Sequence, residues 1–206
     1  FRNELRLWNV PQRYALAVEA TPPPRAALLP HIWLSDEEIR QGQRLLEQLP
    51  DKAGTPPIAL HPYATHPDKA WKEAYWRQLV ELFESRGIPW IVIGRGNGME
   101  GIPASRNFTN RTSLRETCAL LKSSSLLITG DSGPMHLAGA VGTPVLALFG
   151  PTTEEWGFFP AGPKDRVLES QLDCRPCTLH GKKHCDRNHA CMQSITPEQV
   201  MRALDE

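Results

Sequence analysis

The segment from Leu126 to Thr152 constrains the fold more than any other part of the chain. It opens with Leu126-Leu127-Ile128-Thr129, passes through Gly130-Asp131-Ser132-Gly133-Pro134-Met135-His136, and closes with Val145-Leu146-Ala147-Leu148-Phe149-Gly150-Pro151-Thr152. Apolar runs this short and this continuous belong to strands covered on both faces. Gly133 and Pro134 stand at the start of an intervening helix, where proline forfeits no hydrogen bond. Ala138, Gly139, Ala140 and Gly142 let that helix lie close to a sheet. Strand, helix and strand in this order form a parallel crossover, so the chain is read as an α/β protein. Asp131, Ser132 and Gly133 then lie where a parallel strand ends and helix amides point outward. Open α/β sheets hold anionic groups at such places. His136 follows within one turn and reaches the same crevice. A phosphate-bearing small molecule suits the arrangement.

The alternation extends in both directions. Ser35-Asp36-Glu37-Glu38 and Ser113-Leu114-Arg115-Glu116 are capping boxes, predicting helices that run to about Leu49 and Lys122. Ile58-Ala59-Leu60-His61 and Trp90-Ile91-Val92-Ile93-Gly94 read as buried strands. Between them, the stretch from Trp71 to Arg86 carries Trp76, Leu79, Val80 and Phe83 on one stripe and stops at Gly87. Arg166-Val167-Leu168 reads as an edge strand after the loop 151–163, and Thr196-Pro197-Glu198-Gln199 caps a closing helix. Together these predict a Rossmann-like, doubly wound parallel sheet. Residues 1–30 stand outside the pattern. They are irregular except for the apolar stretch Tyr14–Val18, and Pro22-Pro23-Pro24 makes a stiff connector. The expected division is a linker and domain remnant over 1–30 and a nucleotide-sugar-binding domain over 31–206.

A second polar loop, His61-Pro62-Tyr63-Ala64-Thr65-His66-Pro67-Asp68-Lys69-Ala70-Trp71, follows the first strand. Lysine brings a mobile point charge and threonine a closely packing donor, both suited to phosphate. The plain alternative is a solvated loop in which Trp71 staples the next helix. Both polar loops follow parallel strands and so open on the same sheet edge, which favours binding. For Asp131–His136 the alternative is an ordinary cap, with Asp131 or Ser132 accepting the first helix amides and His136 half-buried and satisfied. Gly94-Arg95-Gly96-Asn97-Gly98 looks like a nucleotide fingerprint, yet no amphipathic helix follows it and turn chemistry accounts for its glycines.

Composition narrows the function. The 206 residues carry 23 basic and 23 acidic side chains, so no overall charge marks the chain for nucleic acid or an anionic membrane. No apolar run approaches the roughly 20 residues of a membrane span. The start, Phe1-Arg2-Asn3-Glu4-Leu5-Arg6, has neither initiator methionine nor signal-peptide core, as expected of a fragment or processed product. Cys118 is alone in an apolar helix. The other cysteines run Cys174-x2-Cys177-x7-Cys185-x5-Cys191, interleaved with His180, His184 and His189, in a 173–192 loop poor in apolar residues. Four thiolates can close a tetrahedral shell around zinc or iron, and such a closed site is structural. Two disulfides, or reduced packing cysteines, are the alternatives.

With these residues assembled, the chain resembles the carboxy-terminal half of glycosyltransferase family nine, the bacterial ADP-heptose:lipopolysaccharide heptosyltransferases. The resemblance covers about residues 14–206. It is carried by Leu60-His61, Thr65 and Lys69-Ala70-Trp71, by Asp131 through Ala138, by Leu148-Phe149-Gly150-Pro151-Thr152, and by the Cys-x2-Cys tail ending in Cys191-Met192. It implies the GT-B fold, two Rossmann-like domains facing across a cleft, with this chain supplying the donor-binding one. It implies Thr65 and Lys69 on the donor pyrophosphate, Ser132 and Gly133 amides on phosphate, and Asp131 at the phosphate–heptose region. His136 would lie beside the donor phosphates as a cation or hydrogen-bond donor.

The activity implied is inverting transfer of heptose from ADP-heptose to the lipopolysaccharide inner core, with no cofactor required for catalysis. It would proceed in the cytoplasm, at the inner face of the bacterial inner membrane. The family's catalytic carboxylate lies in an amino-terminal domain that nothing in this chain resembles. The acceptor and any peripheral membrane contact belong to that half, and the present half alone is expected to be inactive. The family's ribose-holding glutamate has no match in the turn from Gly94 to Gly101, where Glu100 is the only acid. Related protein-modifying heptosyltransferases carry a four-cysteine iron finger, which by analogy supports metal at Cys174, Cys177, Cys185 and Cys191. A stand-alone nucleotide-sugar-binding module, or a family-nine transferase with another donor or acceptor, are the alternative readings.

Overall fold

The computed structural model of the chain describes residues 7–50, 54–178 and 184–205; Phe1–Arg6 and His180 lie outside the described residues. Five strands form one sheet: β1 (Ile58–His61), β2 (Trp90–Val92), β3 (Leu126–Gly130), β4 (Val145–Phe149) and β5 (Arg166–Glu169). Their order is β2-β1-β3-β4-β5, and every pairing is parallel. β1, β2 and β4 are buried along their whole length, as their unbroken apolar sequences require.

Alternate residues of the strands feed two cores, one on each face. Leu60, Ile128 and Leu148 pack with Trp76, Leu79 and Phe83 of helix α3 (Glu73–Arg86) and with Val200 and Met201 of helix α7 (Pro197–Asp205). Ala59, Leu127 and Ala147 face helices α4 (Leu114–Lys122) and α5 (Gly133–Val141), meeting Leu120, Leu121, Met135 and Ala138. Helix α2 (Asp36–Leu46) lies outside α4. Their approach is so close that a Cβ on Gly42 would stand 2.7 Å from the Ala119 carbonyl carbon. The doubly wound parallel sheet is thus the observed architecture.

The helix starts follow their sequence signals. Ser35 and Ser113 both close reciprocal capping boxes, and Thr196 pairs with Gln199 in the same way at α7. Gly87 ends α3 at φ 62°, a left-handed turn that suits glycine. Three features differ from expectation. Helix α2 ends at Leu46, before Leu49. Helix α1 (Val10–Ala15) occupies part of the supposed irregular segment, capped by Asn9 and Gln12, with Tyr14 and Val18 exposed. Its Arg13 donates to the Trp8, Glu155 and Trp156 carbonyls, so residues 8–15 are anchored to the sheet domain.

The third difference lies beyond β2. Asn107 forms a parallel bridge with Val92, flanked by Val92 N–H to the Arg106 carbonyl and Phe108 N–H to the Val92 carbonyl, each 2.8 Å. Counting this short strip, the sheet has the six-position order of the dinucleotide-binding fold, with the reversal of direction between β1 and β3. Among the described residues no helix is long and apolar enough to cross a membrane.

Candidate functional site

β1 pairs with β2 on one side and β3 on the other, with His61 in register with Thr129. The loops after β1 and β3 therefore leave the same edge at the point where the winding reverses. His61 is 6% exposed. Its Nδ1 lies 3.0 Å from Thr129 Oγ1 and 3.3 Å from Ser132 Oγ, and the two hydroxyls are 2.9 Å apart. Burial pushes the His61 pKa down to about 4, so the ring is neutral at pH 7. Its other side is closed by the glycine turn: a Cβ on Gly94 would come within 2.5 Å of His61 Cδ2, and one on Gly96 within 2.3 Å of Tyr63 Cδ1. Gly94, at φ 120°, and Gly96 thus serve turn geometry and close approach, as the turn reading held.

Ser132 is the N-cap of α5, but its side chain makes no cap bond. It is directed to Thr129 and His61 instead. Asp131 does not cap the helix either. Its Oδ2 accepts from Lys69 Nζ at 2.6 Å and from Thr152 Oγ1 at 2.9 Å, and the Lys69 and Asp131 side chains are only 13% and 15% exposed. The ordinary-cap alternative therefore fails. The positive end of α5 receives no bond from its N-cap side chain, and among the described residues a Cβ on Gly133 would meet nothing within 4 Å. An ammonium held by Asp131, a helix start and open space beside Gly133 are an arrangement able to take an anion.

The remaining predicted residues are placed less centrally. Thr65 is exposed on the bend before the one-turn 3-10 helix Pro67–Lys69. His136 keeps part of its surface in solvent, on the wall of a mostly apolar cavity of about 430 Å³ shared with Leu28, Met135 and Phe159. Desolvation lowers its pKa against the opposing pull of Asp131. That direction favours the neutral, hydrogen-bonding form of the ring.

Two contributors escaped the sequence reading. Thr152 was noticed in its motif but not as a partner of Asp131. Arg175, whose side chain is 4% exposed, pairs with Glu169 and donates to the carbonyls of Phe149, Gly150, Thr152 and Ser170. It pins the loop after β4 and so holds the Thr152 hydroxyl on Asp131. No local pattern announces an arginine in a cysteine-rich loop as the clamp of a strand end.

Cys174, Cys177, Cys185 and Cys191 all line one cavity of about 280 Å³. None of the four is in a disulfide, so the two-disulfide alternative is not what the structure holds. Cys177 Sγ lies 3.0 Å from the Cys174 carbonyl, and the His189 amide donates to Cys185 Sγ at 3.2 Å. Burial raises the Cys191 pKa. Among the described residues no group of three or more Cys, His, Asp or Glu side chains is arranged to hold a metal ion. The donor set suits zinc or iron; its present spacing does not close around one.

Comparison with known proteins agrees with this geometry. Residues 9–186 match the family model Glycosyltransferase family 9 (heptosyltransferase). The chain is 35% identical over 153 residues to lipopolysaccharide heptosyltransferase 1 of Pseudomonas aeruginosa, covering 68% of this chain and 40% of that protein. It is 28% identical over 218 aligned positions to lipooligosaccharide heptosyltransferase 2 of Haemophilus influenzae, covering 95% of this chain and 61% of that protein. Among solved structures, the E. coli ADP-heptose LPS heptosyltransferase II superposes with a TM-score of 0.67 at 23% identity, over 89% of this chain and 54% of that one. The chain thus spans about half the length of the relatives it matches. The family match takes in all five strands and both polar loops, and the chain belongs to glycosyltransferase family 9.

Proposed function

We propose that this chain is the donor-binding half of an inverting glycosyltransferase that moves heptose from ADP-heptose to the lipopolysaccharide inner core in the cytoplasm. The carrying observation is the α5 start, whose N-cap Ser132 makes no side-chain cap bond, directly after Asp131, which holds the Lys69 ammonium at 2.6 Å. The relatives named above, two of them heptosyltransferases by sequence and one an ADP-heptose enzyme by fold, support the choice of donor.

In this reading the diphosphate sits on the Ser132 and Gly133 amides. Lys69 has three donors, so it can hold a phosphate oxygen and Asp131 together. Thr65, at the mouth of the same loop, adds a hydroxyl. Asp131, fixed by Lys69 and Thr152, lies toward the sugar. In the whole enzyme a base in the other half takes the proton of an acceptor hydroxyl. That oxygen attacks the heptose anomeric carbon, and the bond to the donor phosphate breaks with its electron pair going to ADP. Lys69 and the helix amides stabilise the charge growing on that leaving group, the task a divalent ion performs elsewhere. The lipopolysaccharide acceptor and any contact with the inner membrane belong to the other half.

A calorimetric panel of ADP, UDP, GDP and NAD, run with chelator and then with magnesium, tests the proposal. ADP should bind preferentially and without magnesium. Tighter binding of UDP, or strict dependence on magnesium, would overturn the donor assignment.

The cysteines carry a separate proposal, a structural zinc or iron in the 173–192 loop. Its support is four thiols around one cavity, which must draw together to close a shell. About one equivalent of metal in the purified protein, released by Cys177→Ser, is expected. No metal and four titratable thiols in the native protein would refute it.

A further inference from the structure

The cysteine-rich segment has no part in the chemistry proposed above, yet it is tied to the loop that presents Lys69. His189 Nε2 lies 2.9 Å from Asp68 Oδ1, one residue before Lys69. A carboxylate oxygen only accepts, so the ring proton sits on Nε2. Further along, the Trp71 indole donates to the Ile195 carbonyl at 2.8 Å and Lys72 Nζ to Gln193 Oε1 at 3.0 Å. Of these three ties, only the one from His189 reaches the turn that carries Lys69.

Besides that tie, the turn is held by the Lys69–Asp131 pair and its own backbone. It is three residues long, has no side-chain cap, and is closed by Lys69 N–H to the His66 carbonyl and Ala70 N–H to the Pro67 carbonyl, each 3.0 Å. Asp68 brings a second difficulty. Its negative charge is adjacent to a site meant for anions. The bond to His189 engages that carboxylate at the cysteine-lined cavity, whose wall it helps to form.

His189 is itself held firmly. It adopts φ 54°, ψ 37°, directly after Asn188 at φ 48°. Two successive non-glycine residues take left-handed conformations only where their surroundings enforce them. Here the His189 amide donates to Cys185 Sγ, and its carbonyl accepts from the Met192 and Gln193 amides of helix α6 (Ala190–Gln193). Helix α6 in turn abuts the loop after β4, where a Cβ on Gly150 would collide with Met192 Sδ at 2.3 Å. The Cys177 amide donates to the Pro151 carbonyl at 2.9 Å. The segment grips both loops that converge on Asp131.

We propose that the cysteine-rich segment is a brace for the phosphate-binding loop, with His189 as a positioning residue acting through Asp68 on Lys69. The proposal rests on the reading of Lys69 as a phosphate ligand. Because the brace orders the turn before the nucleotide arrives, less ordering is left to be done on binding.

The test uses the 206-residue chain, with ADP and adenosine titrated separately and amide exchange followed without ligand. His189→Ala should weaken ADP binding by about 3- to 10-fold and adenosine by less than about 2-fold. His189→Gln, which can still donate to Asp68, should recover most of the loss. In a Lys69→Ala background the effect of His189→Ala should vanish. The Lys69 and Ala70 amides should exchange faster in His189→Ala, and also in Asp68→Ala, which cuts the same bond without touching the cysteine segment.

Unchanged exchange and unchanged ADP affinity in His189→Ala would overturn the brace. So would equal losses for ADP and adenosine, or a loss that persists without Lys69. If the unmodified chain binds no ADP while exchange still quickens in both variants, the brace stands and the reading of Lys69 falls.

Discussion

Serine at a helix start ordinarily turns its hydroxyl back onto the first amides, a preference of about 1 kcal/mol. Ser132 does not, because neutral His61 and Thr129 give it partners within 3.3 Å and 2.9 Å. The neutrality has a consequence for stability. The His61 pKa falls from 6.5 to about 4 on folding, so below pH 6.5 the unfolded chain takes up a proton that the folded chain refuses. Stability is therefore full above that pH and falls through the window down to about 4, by at most about 3 kcal/mol. Urea unfolding at pH 7.5 and pH 4.5 should show the natural chain losing more stability than His61→Asn. Equal losses would mean that the ring is not held neutral by the fold. Lys69→Ala should cost ADP binding about 1.5–3 kcal/mol while sparing adenosine, measured by calorimetry, because its ammonium is assigned to phosphate alone. Lys69, Asp131, Ser132 and Gly133 were legible because each follows a recognisable strand end. Thr152 and Arg175 were not: the Arg175 clamp depends on a chain reversal that brings residue 175 onto the ends of two strands, and residue spacing does not encode that approach.

Elements declared themselves in proportion to their apolar pattern. The buried strands and the three boxed helix starts stand where their sequences place them. The strip around Asn107 went unread because Arg106-Asn107-Phe108-Thr109 has a single apolar side chain and pairs with β2 through backbone groups that any residue supplies. Helix α1 was missed for a related reason. The apolar stretch Tyr14–Val18 is the more visible signal, whereas Asn9, Pro11 and Gln12 set the helix and leave Tyr14, Leu16 and Val18 exposed. The packing of α2 on α4 makes a sharper prediction. Replacing a glycine within a helix by alanine normally stabilises by up to about 1 kcal/mol. At Gly42 the new methyl would meet the Ala119 backbone at 2.7 Å, and helix backbone yields poorly. Gly42→Ala should therefore destabilise, by about 1–3 kcal/mol in urea unfolding at neutral pH. A gain in stability would mean that α2 can slide away from α4 at no cost.

At the scale of the whole molecule, the sheet is covered on both faces by this chain's own helices, which supply the residues of its two cores. The chain should accordingly fold cooperatively alone. Binding and chemistry divide differently. In the proposed function the phosphate-binding groups lie within one sheet edge, whereas a base for the acceptor would face the sugar from across a cleft. Neither histidine of the site is suited to that task. His61 is buried, neutral and engaged by two hydroxyls. His136 feels the Asp131 charge, and in the proposed function its contribution is a hydrogen bond to phosphate or sugar. The isolated chain should therefore bind ADP and transfer no heptose from ADP-heptose, and supplying the other half of a family 9 enzyme should restore transfer. In the reconstituted enzyme Asp131→Ala should depress transfer strongly, since it removes the group on which both Lys69 and Thr152 converge. His136→Gln, which preserves a donor, should be milder. Heptose transfer by the 206-residue chain alone, abolished by His136→Ala, would place the base within this half and undo the division of labour.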